Sequence, residues 1–321
     1  MRKPRGIILA SVGLLWAAGM LWSSRYSITS QADAEIEVTS TAYAMPGAVS
    51  AMLVAGAAAA LAVLTLVTGA GRAVSTTVRF VITTGVGLII GGLGAVSIIT
   101  INTDGWIYAV VGGTVAAAAT IGGALAGFQQ ARVIAAVCWA AIAVFLVGVV
   151  LAFLQDDLLP VFGAGESAAS QADAAAYWGY AQGLLGGLVA GLITFRLLRR
   201  AVKRDGTVLR WPFYALAGGG PGLLLVIGEV LTRTAGARVL DLAGRVSVLD
   251  TSIQQMLSTT RLNNALMVLF VGAFTAMVAF GRTLGTPADE DPAPVRRPQR
   301  ALVPPKRQED PDEIEQAARA D

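Results

Sequence analysis

The chain contains no histidine, and Cys138 is the one cysteine among its 321 residues. The first absence removes histidine-based triads, HExxH-type zinc sites and imidazole proton relays. The second makes an intrachain disulfide impossible. Charge is scarce as well: 14% of the residues are Asp, Glu, Lys or Arg, against about 25% in soluble domains. No Walker-type loop, metal-ligand spacing or DxxD-like cluster occurs in the apolar stretches. These absences predict a chain with no catalytic residue, no metal and no cofactor. Basic residues exceed acidic ones only by 24 to 21 and are scattered between apolar runs, which argues against nucleic acid as a partner.

What is present is hydrophobic length. Apolar residues make up 55% of the chain, in recurring runs of about 20, the length that crosses a bilayer. The pattern predicts an all-α integral membrane protein, a bundle of about eight transmembrane helices. The spans fall near 6–22, 47–70, 80–101, 106–128, 133–154, 177–198, 211–231 and 264–281. The first follows Arg2, Lys3 and Arg5. It reads as an uncleaved anchor, because the A-x-A sequences at 32–34 and 42–44 lie well beyond it. Residues 23–46 then read as a polar loop.

The loops alternate in charge. Five of the 24 basic residues, Arg25, Arg233, Arg238, Arg245 and Arg261, fall on one side of the predicted membrane, and the rest collect on the other with both termini. The positive-inside rule makes the crowded side cytoplasmic. The Arg-over-Lys bias and the Ala, Gly and Val content resemble a high-GC bacterium. The expected location is therefore a bacterial inner (plasma) membrane, multi-pass, with both ends cytoplasmic. Residues 282–321 are Pro-rich with alternating charge blocks. They cannot bury a core and read as a disordered cytoplasmic tail.

Aromatic residues open three spans, after Tyr43, at Trp106 and at Tyr177, about 65 to 70 residues apart. Three tandem hairpins would give this spacing, but so would an interfacial aromatic belt without any duplication. Glycines recur at small-xxx-small spacing in Gly183, Gly187 and Gly191, and in the pairs Gly87 and Gly91 and Gly123 and Gly127. In lipid, such residues let helix backbones approach closely, which is the packing explanation for them.

The span at 211–231 carries the densest set of unusual residues. Gly218, Gly219, Gly220, Pro221 and Gly222 predict a kink or unwound turn, because Pro221 cannot donate to the Ala217 carbonyl. Glu229 is the acidic residue within a span. It shares a helical face with Gly218, Gly222 and Leu225, and it also stands four residues before Arg233, a spacing that suits an ion pair. A cavity-lining carboxylate and a simple interfacial pair both fit. Beyond it, Val239, Leu242, Val246, Leu249, Ile253 and Leu257 recur every three or four residues. That spacing predicts an extracytoplasmic amphipathic segment within 234–262, with Asp241 and Arg245 one turn apart. It suits a helix at the membrane surface. The alternative is a lid whose arginines, Arg238 and Arg245, face a phosphate or carboxylate.

Function is less legible than class. The expected partners are the lipid bilayer and other membrane or envelope proteins. The first reading is a non-catalytic accessory or assembly component of a cell-envelope or membrane complex. The alternative is a permease or flippase for an anionic or lipid-linked substrate, worked around the 211–231 span. Whether a cavity reaches Glu229 separates the two.

Overall fold

The computed structural model describes residues 3–30, 34–68, 75–103, 106–128, 130–206, 209–239, 241 and 248–283. Among these residues there is no strand. The helices are α1 (Lys3–Thr29), α2 (Ala34–Thr68), α3 (Thr76–Ile99), α4 (Trp106–Ala126), α5 (Ala131–Phe153), the short α6 (Gln155–Leu158), α7 (Ala168–Asp205), α8 (Trp211–Thr234) and α9 (Val248–Gly281). All but α6 are long and apolar enough to cross a membrane, which gives the eight expected spans. The chain is an all-α, multi-pass membrane bundle.

Local chemistry marks several helix ends. The Ser75 side chain accepts from the Val78 amide at the start of α3, and Ser167 does the same for Ser170 at the start of α7. Gly206 closes α7 with φ +64°, a left-handed turn that glycine adopts without a Cβ clash. Arg210 precedes α8, whose Pro212 sits in the first turn, where a missing N–H costs no helical bond.

Four helices overrun their predicted limits. Residues 23–46 are largely helical rather than a polar loop: α1 continues to Thr29, and α2 starts at Ala34 and passes through Pro46. Helix α7 gains about two turns at its start and continues to Asp205. Helix α9 begins at Val248, so Leu257 and Arg261 belong to the last spanning helix rather than to a separate surface segment. Leu249 and Ile253 of the amphipathic stripe also fall in α9, Val239 is buried beyond the end of α8, and Leu242 and Val246 lie outside the described residues. So does the tail, 284–321.

The core forms around α2. Its Ala-rich middle, from Ala55 to Leu61, is almost wholly buried, because small side chains let neighbours close on both sides. Gly13 of α1 packs on Ala55 and Ala58, Gly56 packs on the Ala119 backbone of α4, and Gly122 of α4 packs on Leu53. The closest helix pairs include α3 with α4, α8 with α9 and α1 with α2, while α4 barely touches α5. The predicted hairpins through the basic loops are thus not the packing units. Neighbours pair instead through the opposite end of the bundle, and no tandem repeat emerges from the contacts.

The glycine faces act as packing surfaces. Gly87 and Gly91 of α3 lie against Ala119 and Ala116 of α4, and Gly187 and Gly191 of α7 lie against Val271, Gly272 and Thr275 of α9.

Candidate functional site

The unwound turn predicted as one form of the break in α8 is absent. The helix runs without interruption from Trp211 to Thr234, and Gly218, Gly219, Gly220, Pro221 and Gly222 are all helical and buried. In the interior of a bundle, neighbouring helices hold a Gly/Pro stretch in place, and here they press directly on it. A Cβ on Gly218 would strike the Gly272 carbonyl and the Ala276 side chain of α9. A Cβ on Gly222 would fall on the Leu269 backbone, and one on Gly220 would fall on Val137 of α5. The glycines serve as a contact surface for two helices at once.

This close crossing brings the last turns of α8 beside the first half of α9, and there Glu229 is gripped. Its carboxylate is only 4% exposed. Arg233 Nε donates to Oε1 at 3.0 Å, the predicted i,i+4 pair. Ser258 Oγ also donates to Oε1, at 2.6 Å, and Arg261 Nε donates to Oε2 at 3.0 Å. A terminal nitrogen of Arg233 continues to the Ser258 carbonyl at 2.8 Å. One carboxylate thus faces two guanidiniums and joins α8 to α9. The terminal nitrogens of Arg261 make no hydrogen bond among the described residues.

The other predicted contacts are Arg238 and Arg245. Arg238 is exposed beyond the end of α8, and Arg245 lies outside the described residues. Ser258 and Arg261 were missed because the polar turns of α9 looked like loop. Their signal is the stripe Gln254, Ser258, Arg261, Ala265, Val268 and Gly272, spaced by four and three. It is a single helical face that turns from polar to apolar.

A cavity of about 370 Å³ opens beside this cluster, between α1, α2, α5, α8 and α9. Glu229, Arg261 and Asn264 form its polar end, and Ser50 adds a hydroxyl. The remaining wall is apolar and includes Val54, Val144, Val149 and Leu225. Trp16 and Phe145 also line it, packed on each other with ring centroids 4.7 Å apart. Pro46 of α2 and Pro221 of α8 stand on the same wall. Two polar atoms of the lining are buried without a partner among the described residues, Trp16 Nε1 and Asn264 Oδ1. Asn264 Oδ1 lies towards Gly183 of α7.

No protein-family model matches the chain, and searches of curated proteins and of solved structures returned no match either. The class, a helical multi-pass membrane protein, therefore rests on the eight spans. The function rests on the cavity.

Proposed function

We propose that the chain binds an anionic amphiphile in the cavity beside Glu229 and acts as a permease or flippase for it. The observation that carries this reading is the cavity's asymmetry. Its length is apolar, and its polar end presents Glu229, Arg261 and Asn264. Arg233 pairs with Glu229 from outside the lining, so the cluster as a whole keeps one positive charge beside Arg261, which suits a ligand with a hydrocarbon body and a single acidic group. Arg261 supplies donors through its terminal nitrogens, which make no hydrogen bond among the described residues, and guanidinium forks favour phosphate or carboxylate oxygens. The Trp16 indole N–H would meet a further acceptor. Glu229 itself has both oxygens engaged, so it positions Arg261 and does not serve as a free proton carrier. In this reading the cavity lies in the outer half of a bacterial inner membrane, with both termini cytoplasmic.

The direct test compares oleyl phosphate with oleyl alcohol by native mass spectrometry of the full chain in neutral detergent. Binding of the phosphate at about tenfold lower concentration than the alcohol is expected. Gly148→Leu should remove that binding without unfolding the protein, because Gly148 lines the cavity and a Cβ there meets only Gln182 Nε2, at 3.8 Å. Equal retention of alcohol and phosphate, or a G148L variant that binds as before, refutes the assignment.

A second reading, the accessory component of an envelope complex, is favoured by one feature. The residues of α5 that line this cavity, such as Val144, Phe145 and Gly148, lie roughly opposite Arg132, Ala135 and Trp139, which line a second cavity at the other end. The two are thus separated by the packed body of α5. Co-purification of a stoichiometric membrane partner in mild detergent, together with no phosphate preference, would decide for it.

A further inference from the structure

The second cavity has a volume of about 850 Å³ and lies between the start of α1, the start of α5 and the end of α7. Arg132, Arg200, Arg204 and Asp205 supply its charge, and Ile8 and Trp139 belong to its apolar wall. Arg132 pairs with Asp205 at 2.9 Å, which ties the first turn of α5 to the last turn of α7. That contact uses the carboxylate of the lining. Arg200 and Arg204 are exposed, one turn apart on α7, and make no hydrogen bond or ion pair among the described residues. Three guanidiniums against one carboxylate leave two positive charges facing the same space.

Basic residues in a last helical turn already interact favourably with the helix dipole. That effect would serve Lys203 as well as Arg204, because both stand in the last turn. The cavity selects between them: Arg200 and Arg204 line it, and Lys203 does not. Two like charges four residues apart repel each other on a helix, and a bound anion turns that repulsion into attraction. Guanidinium forks match the oxygens of phosphate in geometry as well as charge. Basic recesses between membrane helices also suit phospholipid headgroups.

We infer that this cavity is a binding site for a diphosphate anion, held between Arg200 and Arg204. The wall of Ile8 and Trp139 favours a source that also carries hydrocarbon, a phospholipid whose headgroup bears two phosphates. The site is independent of the amphiphile cavity beside Glu229.

The experiment uses the full chain in neutral detergent and native mass spectrometry, with three probes: diphosphatidylglycerol, phosphatidylcholine and inorganic pyrophosphate. Diphosphatidylglycerol should be retained at about tenfold lower concentration than phosphatidylcholine, and the double variant R200Q/R204Q should lose that preference. Lys203→Gln should keep it. Competition by millimolar pyrophosphate would identify the soluble diphosphate as an equivalent source, and failure to compete would assign the site to lipid. Equal retention of the two lipids by the wild-type chain overturns the inference, as does an undiminished preference in the double variant. Should that variant not fold, Asp205→Asn provides the second arm. It removes the carboxylate from the lining and should strengthen binding several-fold, so unchanged or weaker binding counts against the site. Gly148→Leu fills the other cavity and should leave the preference intact. A loss there would place the diphosphate beside Glu229 instead and overturn this assignment, while the oleyl phosphate result stands or falls separately.

Discussion

The two ends of the bundle treat charge in opposite ways. Beside α8 and α9 the carboxylate of Glu229 is 4% exposed and takes bonds from three side chains. At the other end the Arg132–Asp205 pair has side chains 38% and 45% exposed, and Arg200 and Arg204 stand beside it without a partner among the described residues. A buried pair cannot lose one member cheaply, because the survivor is stranded away from water. A half-exposed pair can, because water replaces the lost partner. The first arrangement joins helices; the second leaves charge available to a ligand.

The largest effect should come from Glu229→Leu, which strands two guanidiniums together. Arg233 and Arg261 keep 40% and 30% of their side chains exposed, so the cost should be about 1.5–3 kcal/mol, from the lost charged hydrogen bonds, read as a fall in thermal unfolding temperature in detergent. A small fall would mean that solvent reaches the cluster and that the two ends are alike. Next in size is Gly222→Ala. A Cβ at that position meets the Leu269 backbone, so overpacking of about 1–3 kcal/mol is expected. The displacement of α8 from α9 should also loosen the Glu229–Arg261 contact, and a double-mutant cycle with Arg261→Gln should show coupling. Gly85→Ala on α3, where nothing lies within 4 Å of the new atom, should be neutral or slightly stabilising, as replacing helical glycine usually is. The smallest change is expected for Asp205→Asn, at about 0–1 kcal/mol by the same unfolding measurement. A loss as large as that from Glu229→Leu would erase the contrast between the ends.

Much of the bundle was legible from hydropathy. A 20-residue apolar window is what a membrane demands, so eight spans could be placed without tertiary information. Helix ends were less legible, because hydropathy tracks the surroundings of a segment and not its hydrogen bonds. The polar turns from Val248 to Leu262 continue α9 without a break, yet their composition resembles a surface loop. That same extension concealed the site. The Glu229–Arg233 pair is local and could be read from its spacing, whereas Ser258 and Arg261 arrive from 29 and 32 residues away. The expected unwound turn at Gly218 to Gly222 failed for a related reason. Glycine and proline disrupt a helix with no neighbours, but between α5 and α9 their small volume is what allows the contact. Arg238 was grouped with the site through its neighbours in sequence, and the fold leaves it exposed.

Pro46 and Pro221 sit inside helices that do not break, and both stand on the cavity wall. Each removes one rung from its helix ladder, since a proline nitrogen has no hydrogen to offer the carbonyl four residues earlier. At those two points α2 and α8 resist bending with one bond fewer than elsewhere along their length. The stiff parts of the same helices, the Ala-rich run of α2 and the Gly218–Gly272 crossing, are fixed by contacts on their other faces. Mechanically, the weakest rungs of the cavity wall are set in a frame of close helix crossings, and at Pro221 the flanking Gly220 and Gly222 are themselves part of that frame.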